Sequence, residues 1–224
     1  MHIRSTLRLQ ALIFDFDGLI LDTETPEVEV WQSIYREHGL ELPVDEWAKT
    51  IGGYGLSTFD AAIHLSQLTG LDPAPLRARY RRESDVLIHA SPILPGVLDM
   101  LTEARARGLG LAVASSSPHA WVDPHLARLG LAARFDTVTC SEDVAAGRTK
   151  PNPDLFLLAL TRLEVQKEAA VVFEDSLNGV RAAKSAGIFV VAVPNPLTMR
   201  FGVDGADLTV KSLADLSLDD LLNH

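Results

Sequence analysis

The sequence predicts an α/β protein with a doubly wound, parallel-sheet core and an inserted, all-helical cap domain. Three observations of this 224-residue chain lead to that fold class. Short, β-rich apolar runs alternate with helical patterns from residue 105 onward. Prolines lie near the starts of those helical patterns, and glycines lie near their ends. The segment 24–90 shows helical spacing only, so the predicted core is 8–23 with 91–224, and the predicted cap is 24–90.

The first predicted strand is Leu9–Phe14, which is mostly apolar and is followed by a turn signal at Gly18. Runs that are apolar throughout are typical of parallel strands, which are buried on both faces. The same pattern predicts four further strands and a weaker fifth: Leu109–Ser115, Phe135–Cys140, Ala170–Glu174, Phe189–Val193 and, weaker, Ala206–Val210.

Helices are expected between these strands, joined to them by right-handed crossovers. In such sheets the functional residues gather at the carboxyl ends of the strands. The predicted core helices are Pro95–Arg107, Pro118–Leu129, Pro153–Leu163 and Leu177–Ala186, with Asn152 as the expected cap of the third.

The insert interrupts the alternation directly after the first strand. Apolar residues recur at helical spacing, beginning with Val28, Trp31 and Ile34. An insert at this point is expected to act as a lid over the strand ends. The glycine-rich loop from Gly52 to Gly55 is either a plain connection or a substrate contact.

The composition excludes several classes of function. The net charge of −10 argues against a nucleic-acid or anionic-membrane partner, because both bind positive patches. Cys140 is the only cysteine, so no intrachain disulfide can form, which suits a reducing compartment. No apolar stretch approaches the length of a membrane span. We therefore expect a cytoplasmic protein, as a monomer or alternatively a dimer, that binds a small molecule.

Asp15 and Asp17 follow the first strand and are two residues apart. On a strand, residues at this spacing point to the same side. Two carboxylates about 4 Å apart repel by about 4 kcal/mol at an effective dielectric of about 20. A cation is therefore expected beside them.

Three other elements are expected at the same edge of the sheet. Ser115, Ser116 and Ser117 end a strand before a helix, where hydroxyls and backbone N–H groups can hold a phosphate. Lys150 precedes a helix, and Glu174 with Asp175 ends another strand. Four carboxylates against one lysine leave an excess of negative charge that a divalent ion would relieve. These oxygen ligands suit Mg²⁺, and together the elements indicate phosphoryl transfer.

These four elements, in this order, resemble the four motifs of the haloacid dehalogenase superfamily, and most closely its helical-cap phosphatases and phosphomutases. The resemblance covers nearly the whole chain. It implies that Asp15 is the nucleophile and Asp17 the general acid and base. Ser115 and Ser116 would bind the phosphoryl group, and Lys150 would bridge it to Asp15. The implied Mg²⁺ ligands are Asp15, the carbonyl of Asp17, Glu174 and Asp175.

The resemblance also separates branches of that superfamily. Asp17 favours phosphoryl transfer over dehalogenation, because a departing halide needs no proton. The β-phosphoglucomutase branch uses a cap histidine and a cap arginine, and the corresponding places here hold Glu27 and either Tyr54 or Gly55. Hydrolysis of a small sugar phosphate is therefore the expected reaction. The alternatives are a mutase, with Arg81 and Arg82 holding a second phosphate, and a non-catalytic module that binds phosphorylated metabolites.

Each motif also has a purely structural interpretation. Ser115–Ser117 would then form a helix-capping turn, and Glu174 and Asp175 would cap the helix near residue 177. Lys150 would be a surface charge. Outside the motifs, Cys140 is expected to be an inert small residue, the tryptophans to pack between helices, the arginines of 77–82 to form a solvated face, and His119 and His125 to lie on a helix surface.

Overall fold

The computed structural model describes residues 9–50 and 58–222. Contacts group these residues into two compact units. The first contains the residues up to Ile20 and those from Ile93 onward, and the second contains Leu21–Pro92. The Gly52–Gly55 loop lies outside the described residues.

The first unit contains a six-stranded sheet in the order β3-β2-β1-β4-β5-β6, with every described neighbouring pair parallel. This is the strand order of doubly wound, Rossmann-like folds, so the predicted fold class is confirmed. All six predicted strands exist, most of them one to three residues shorter than predicted. Their bounds are β1 Ala11–Phe14, β2 Gly110–Ala114, β3 Thr137–Thr139, β4 Ala170–Glu174, β5 Phe189–Ala192 and β6 Leu208–Thr209.

The same unit carries four helices at the predicted places and one near the end of the chain. The helices of the insert are confirmed as well, and no strand occurs in the described residues of the second unit. In chain order the helices are α1 Glu24–Glu37, α2 Val44–Ala48, α3 Ala61–Thr69, α4 Pro73–Ala90, α5 Val97–Ala106, α6 His119–Arg128, α7 Asp154–Leu163, α8 Leu177–Ala186 and α9 Leu218–Leu222.

The core lies on the sheet. Alternate strand residues such as Ile13 and Val172 form one buried cluster with Phe156 of α7 and Val180 of α8. All residues of β1 and β4 are buried, as expected for parallel strands covered on both faces. Within the described residues, no helix is long and apolar enough to cross a membrane.

The second unit is held by its own aromatic and ionic contacts. Trp31 of α1 stacks on Tyr80 of α4 with ring centroids 4.7 Å apart. Arg77 pairs with Asp60, and Arg79 pairs with Glu37. Two arginines of the predicted solvated face of α4, Arg77 and Arg79, therefore form ion pairs within this unit.

Candidate active site

The sheet order brings three of the four predicted motifs to one edge. Strands β2, β1 and β4 are neighbours and run parallel, so the residues that follow them lie at the same end. Asp15 and Asp17 follow β1, and Ser115 follows β2. Glu174 is the last residue of β4, and Asp175 follows it.

Lys150 reaches this edge from the segment before α7. Its Nζ donates to Oδ1 of Asp15 in a short contact and to Oε1 of Glu174 at 2.5 Å. The lysine side chain is only 4% exposed, and the two carboxylates are 9% and 0% exposed. Lys150 is therefore a buried cation inside the acid cluster, and its interpretation as a surface charge is wrong.

Three buried carboxylates lie together here, and two of them contact this lysine. One oxygen from each of Asp15, Glu174 and Asp175 lies within 4.8 Å of the others. Oε2 of Glu174 accepts from the backbone N–H groups of Asp175 and Ser176 at 3.1 and 3.2 Å, and from the Ser176 hydroxyl at 3.1 Å. Both oxygens of Glu174 therefore have protein donors. Oδ2 of Asp175 accepts from the Asn195 side-chain amide at 3.1 Å.

Two glycines make room for these acids. Gly18 has a φ of +76°, and a Cβ there would collide with the Asp175 carboxylate. A Cβ at Gly179, in the first turn of α8, would overlap the carboxylate of Glu174. The backbone thus approaches both acids more closely than any residue with a side chain would allow.

The charges of the cluster do not balance. Burial and the neighbouring Glu174 raise the pKa of Asp15 to about 8, although Lys150 acts in the opposite direction. Burial disfavours the Lys150 charge, but Asp15 and Glu174 hold its pKa above the usual range. One ammonium among three buried carboxylates leaves a negative excess, and all the donor atoms are hard oxygens. The donor set therefore fits a divalent cation such as Mg²⁺.

The Asp17 side chain contacts the segment that runs from the end of β2 into α6. It accepts from the Ser117 hydroxyl at 2.6 Å and from the Trp121 indole N–H at 2.8 Å, while the Ser115 hydroxyl lies 3.4 Å away. Ser115 is buried and Ser116 is exposed in the same turn. The structure therefore brings every predicted site residue to one edge of the sheet.

Several capping assignments are wrong. The residue before α6 is Pro118, with no side-chain cap, so Ser115–Ser117 do not cap that helix. Ser176, rather than Glu174 or Asp175, caps α8 by accepting from the N–H of Gly179. Asn152 does not cap α7; its amide donates to the carbonyls of Gly147 and Thr149. These side chains form other hydrogen bonds instead: Ser117 with Asp17, Glu174 with Lys150, and Asn152 with nearby backbone carbonyls.

One other expectation needs correction, because His125 is buried rather than on the helix surface. Trp121 packs against His125, and its indole N–H also donates to the predicted catalytic acid Asp17, a contact that sequence reasoning missed. The only sequence signal for this contact is a tryptophan that follows the serine motif at the end of a strand. Helical periodicity shows which face of α6 is apolar, but it does not show that the indole N–H reaches Asp17. Cys140 is buried and free, and burial raises the pKa of its thiol to about 12, as expected for an inert residue.

Comparison with known proteins identifies the family of this chain. The sequence model of the family described as "Haloacid dehalogenase-like hydrolase" matches residues 12–193. YhcW of Bacillus subtilis (strain 168), named as a candidate phosphatase, is 41% identical over 96% of this chain and 97% of its own length. The fructose-1-phosphate phosphatase YqaB of Escherichia coli (strain K12) is 36% identical over 83% of this chain and 97% of its own. A crystal structure named as a candidate β-phosphoglucomutase, from Thermotoga maritima, aligns with a TM-score of 0.76 at 29% identity, over 96% of this chain and 99% of its own.

Proposed function

The chain belongs to the haloacid dehalogenase-like hydrolases, and we propose that it is a Mg²⁺-dependent phosphatase acting through an aspartyl phosphate on Asp15. The proposed substrate is a small phosphate monoester of a sugar. One observation carries the proposal: Lys150 is buried between Asp15 and Glu174, within reach of a phosphoryl group bound to Asp15. The fructose-1-phosphate phosphatase among the relatives supports the sugar-phosphate class, and YhcW, named as a candidate phosphatase, supports hydrolysis.

The proposed reaction has two steps. In the first, a carboxylate oxygen of Asp15 attacks phosphorus, the bond to the leaving oxygen breaks, and Asp17 gives that oxygen its proton. In the second, Asp17 takes a proton from water as the water oxygen attacks phosphorus, which frees phosphate and restores the Asp15 carboxylate. Lys150 and Ser115 stabilise the negative charge on the transferring oxygens.

We assign the direct metal contacts to Asp15, Asp175 and the backbone carbonyl of Asp17. Glu174 belongs to the same group of oxygens, but both of its oxygens already accept protein hydrogen bonds. Its proposed role is to hold Lys150 in place and to complete the shell around the metal site. When bound, Mg²⁺ supplies positive charge that neutralises the phosphoryl oxygens.

Turnover of an aryl phosphate tests this proposal. The wild type should hydrolyse p-nitrophenyl phosphate with Mg²⁺, and both a chelator and the Asp15→Asn variant should abolish turnover. Added Mg²⁺ should restore the chelated enzyme but not the variant. Substantial turnover by Asp15→Asn, in protein free of contaminating phosphatase, would contradict the nucleophile assignment.

A phosphomutase is the second candidate, favoured by the likeness to the structure named as a β-phosphoglucomutase. Against it, Glu27 stands where the resemblance places a cap histidine. The Glu27 carboxylate accepts a hydrogen bond from Tyr80, whose hydroxyl pKa rises through burial and this carboxylate. An acid is a poor anchor for a second phosphate. With β-glucose 1-phosphate and a trace of bisphosphate, we expect free phosphate; formation of glucose 6-phosphate would instead identify a mutase.

The remaining assignments stay predictions. These are the role of residues 24–90 as a cap, the cytoplasmic location and the monomeric state. A non-catalytic binding role would require that no member of a broad panel of phosphate esters is hydrolysed with Mg²⁺.

A further inference from the structure

The Asp17 carboxylate is held by donors on both of its oxygens. The Ser117 hydroxyl donates to Oδ2 at 2.6 Å, and the Trp121 indole N–H donates to Oδ1 at 2.8 Å. Ser117 and Trp121 lie 100 and 104 residues away in the chain. Without them, an aspartate carboxylate at a strand end would rotate about two side-chain torsions.

The indole itself is fixed in place. Trp121 lies in the first turn of α6, and its ring meets the ring of His125 edge-on at 4.5 Å. The start of α6 is tied to the segment after β3, because Nε2 of His119 contacts Asp143 at 2.9 Å. An indole has a single polar hydrogen, and here it is directed at Asp17.

We propose that Ser117 and Trp121 are positioning residues for the proton transfer by Asp17, an inference that rests on the proposed function. A general acid must lie within hydrogen-bond reach of the leaving oxygen, and small misplacements cost large factors in rate. The Ser117 hydroxyl and the Trp121 indole together form a clamp, which keeps Oδ2 of Asp17 next to the hydroxyl of Ser115, the predicted phosphoryl-binding residue. Asp17 therefore faces the phosphoryl site before substrate arrives.

The leaving group distinguishes positioning from general structural support. A p-nitrophenolate leaves readily without a proton, whereas the alkoxide of β-glycerophosphate needs one. The parameter kcat/KM reports only the steps through departure of the leaving group, so a slow second step does not obscure the comparison. Loss of the clamp should therefore lower kcat/KM for the alkyl ester and spare the aryl ester.

The experiment measures kcat/KM for both esters in the wild type, Trp121→Phe and Ser117→Ala. We expect a fall of about 10- to 100-fold with β-glycerophosphate, which is part of the roughly 100- to 10,000-fold that general acid catalysis contributes, and less than about 3-fold with p-nitrophenyl phosphate. Ser117→Thr, which keeps the hydroxyl, should retain most of the wild-type ratio. Trp47→Phe, in the second unit, is the matched control and should leave the ratio unchanged. In an Asp17→Asn background, Trp121→Phe should add no further effect.

The possible outcomes separate the two proposals. If kcat/KM falls equally for both esters in folded Trp121→Phe and Ser117→Ala, the positioning role is overturned, but the proposed function is not. A rise in kcat/KM for the alkyl ester would also overturn the positioning role, because the clamp would then hold Asp17 away from the leaving oxygen. If the wild type hydrolyses neither ester, the proposed function fails, and the positioning role fails with it.

Discussion

Replacing Lys150 with methionine removes the cation from the buried acid cluster while keeping a side chain of similar length. In the native protein, Nζ contacts Asp15 and Glu174, and both carboxylates are buried. The variant must either bury these charges without a neighbouring cation or protonate them. We therefore expect the folded state to be destabilised strongly and turnover to be lost.

The magnitude follows from the geometry. At the 2.5 Å separation of Lys150 and Glu174, the attraction is about 7 kcal/mol at an effective dielectric of about 20, before desolvation is subtracted. Breaking a buried pair by removing one partner costs about 3–5 kcal/mol. For a chain of this size, that corresponds to a fall in Tm of about 6–20 °C.

The pH dependence has a definite sign. Burial already raises the pKa of Asp15 to about 8 in the wild type, and without the opposing effect of Lys150 this pKa lies higher still in the folded variant. Groups with raised pKa contribute stability at low pH and lose it as pH rises. Between about pH 5 and pH 8 the wild type and the variant lose this contribution alike, but above about pH 8 only the variant continues to lose it. The deficit of the variant should therefore be larger at about pH 9.5 than at about pH 7.

Urea denaturation at both pH values measures the effect. Lys184→Met is the matched control, because Lys184 pairs with Asp207 at 2.6 Å on the surface, with 43% and 26% of the side chains exposed. It should cost less than about 1 kcal/mol. If Lys150→Met loses no more stability than Lys184→Met, or if its deficit does not depend on pH, the buried-cation reasoning is refuted.

Two further predictions concern α8 and α6. Gly179→Ala should lower stability by about 1–3 kcal/mol and turnover at least about tenfold, because the new Cβ displaces Glu174, although alanine otherwise favours a helix by about 1 kcal/mol. The matched control is Ser185→Ala, exposed on the same helix, which should change stability by less than about 0.5 kcal/mol. A Gly179→Ala variant that is both more stable and active would contradict the predicted overlap of the new Cβ with the Glu174 carboxylate. The difference in unfolding free energy between the wild type and His119→Gln should widen as pH falls from 8 to 6. Contacts with Asp143 and Asp123 outweigh desolvation and raise the His119 pKa, so the charged imidazole stabilises the folded state at the lower pH. A difference that stays constant across this range would contradict the prediction.

Much of the core could be predicted because its signals are local. The apolar run before Asp15 and the run before Glu174 can hardly be anything but buried strands, and the helical patterns between such runs require parallel pairing. Parallel strands place their carboxyl ends together, so the convergence of the motif residues followed from order along the chain. The ends of the elements were less well predicted, since Asn152 and Ser117 bind partners other than helix N–H groups.

The sequence by itself determined the α/β class, the helical insert and the residue types at the strand ends. Only the tertiary structure decided which atoms meet: both oxygens of Glu174 are taken by protein donors, Lys150 is buried, and Trp121 holds Asp17. The physical reason is that periodicity records which face of an element is apolar over a few residues. A hydrogen bond between residues 17 and 121 depends instead on how an entire helix is rotated and seated beside the sheet, and no local pattern encodes that.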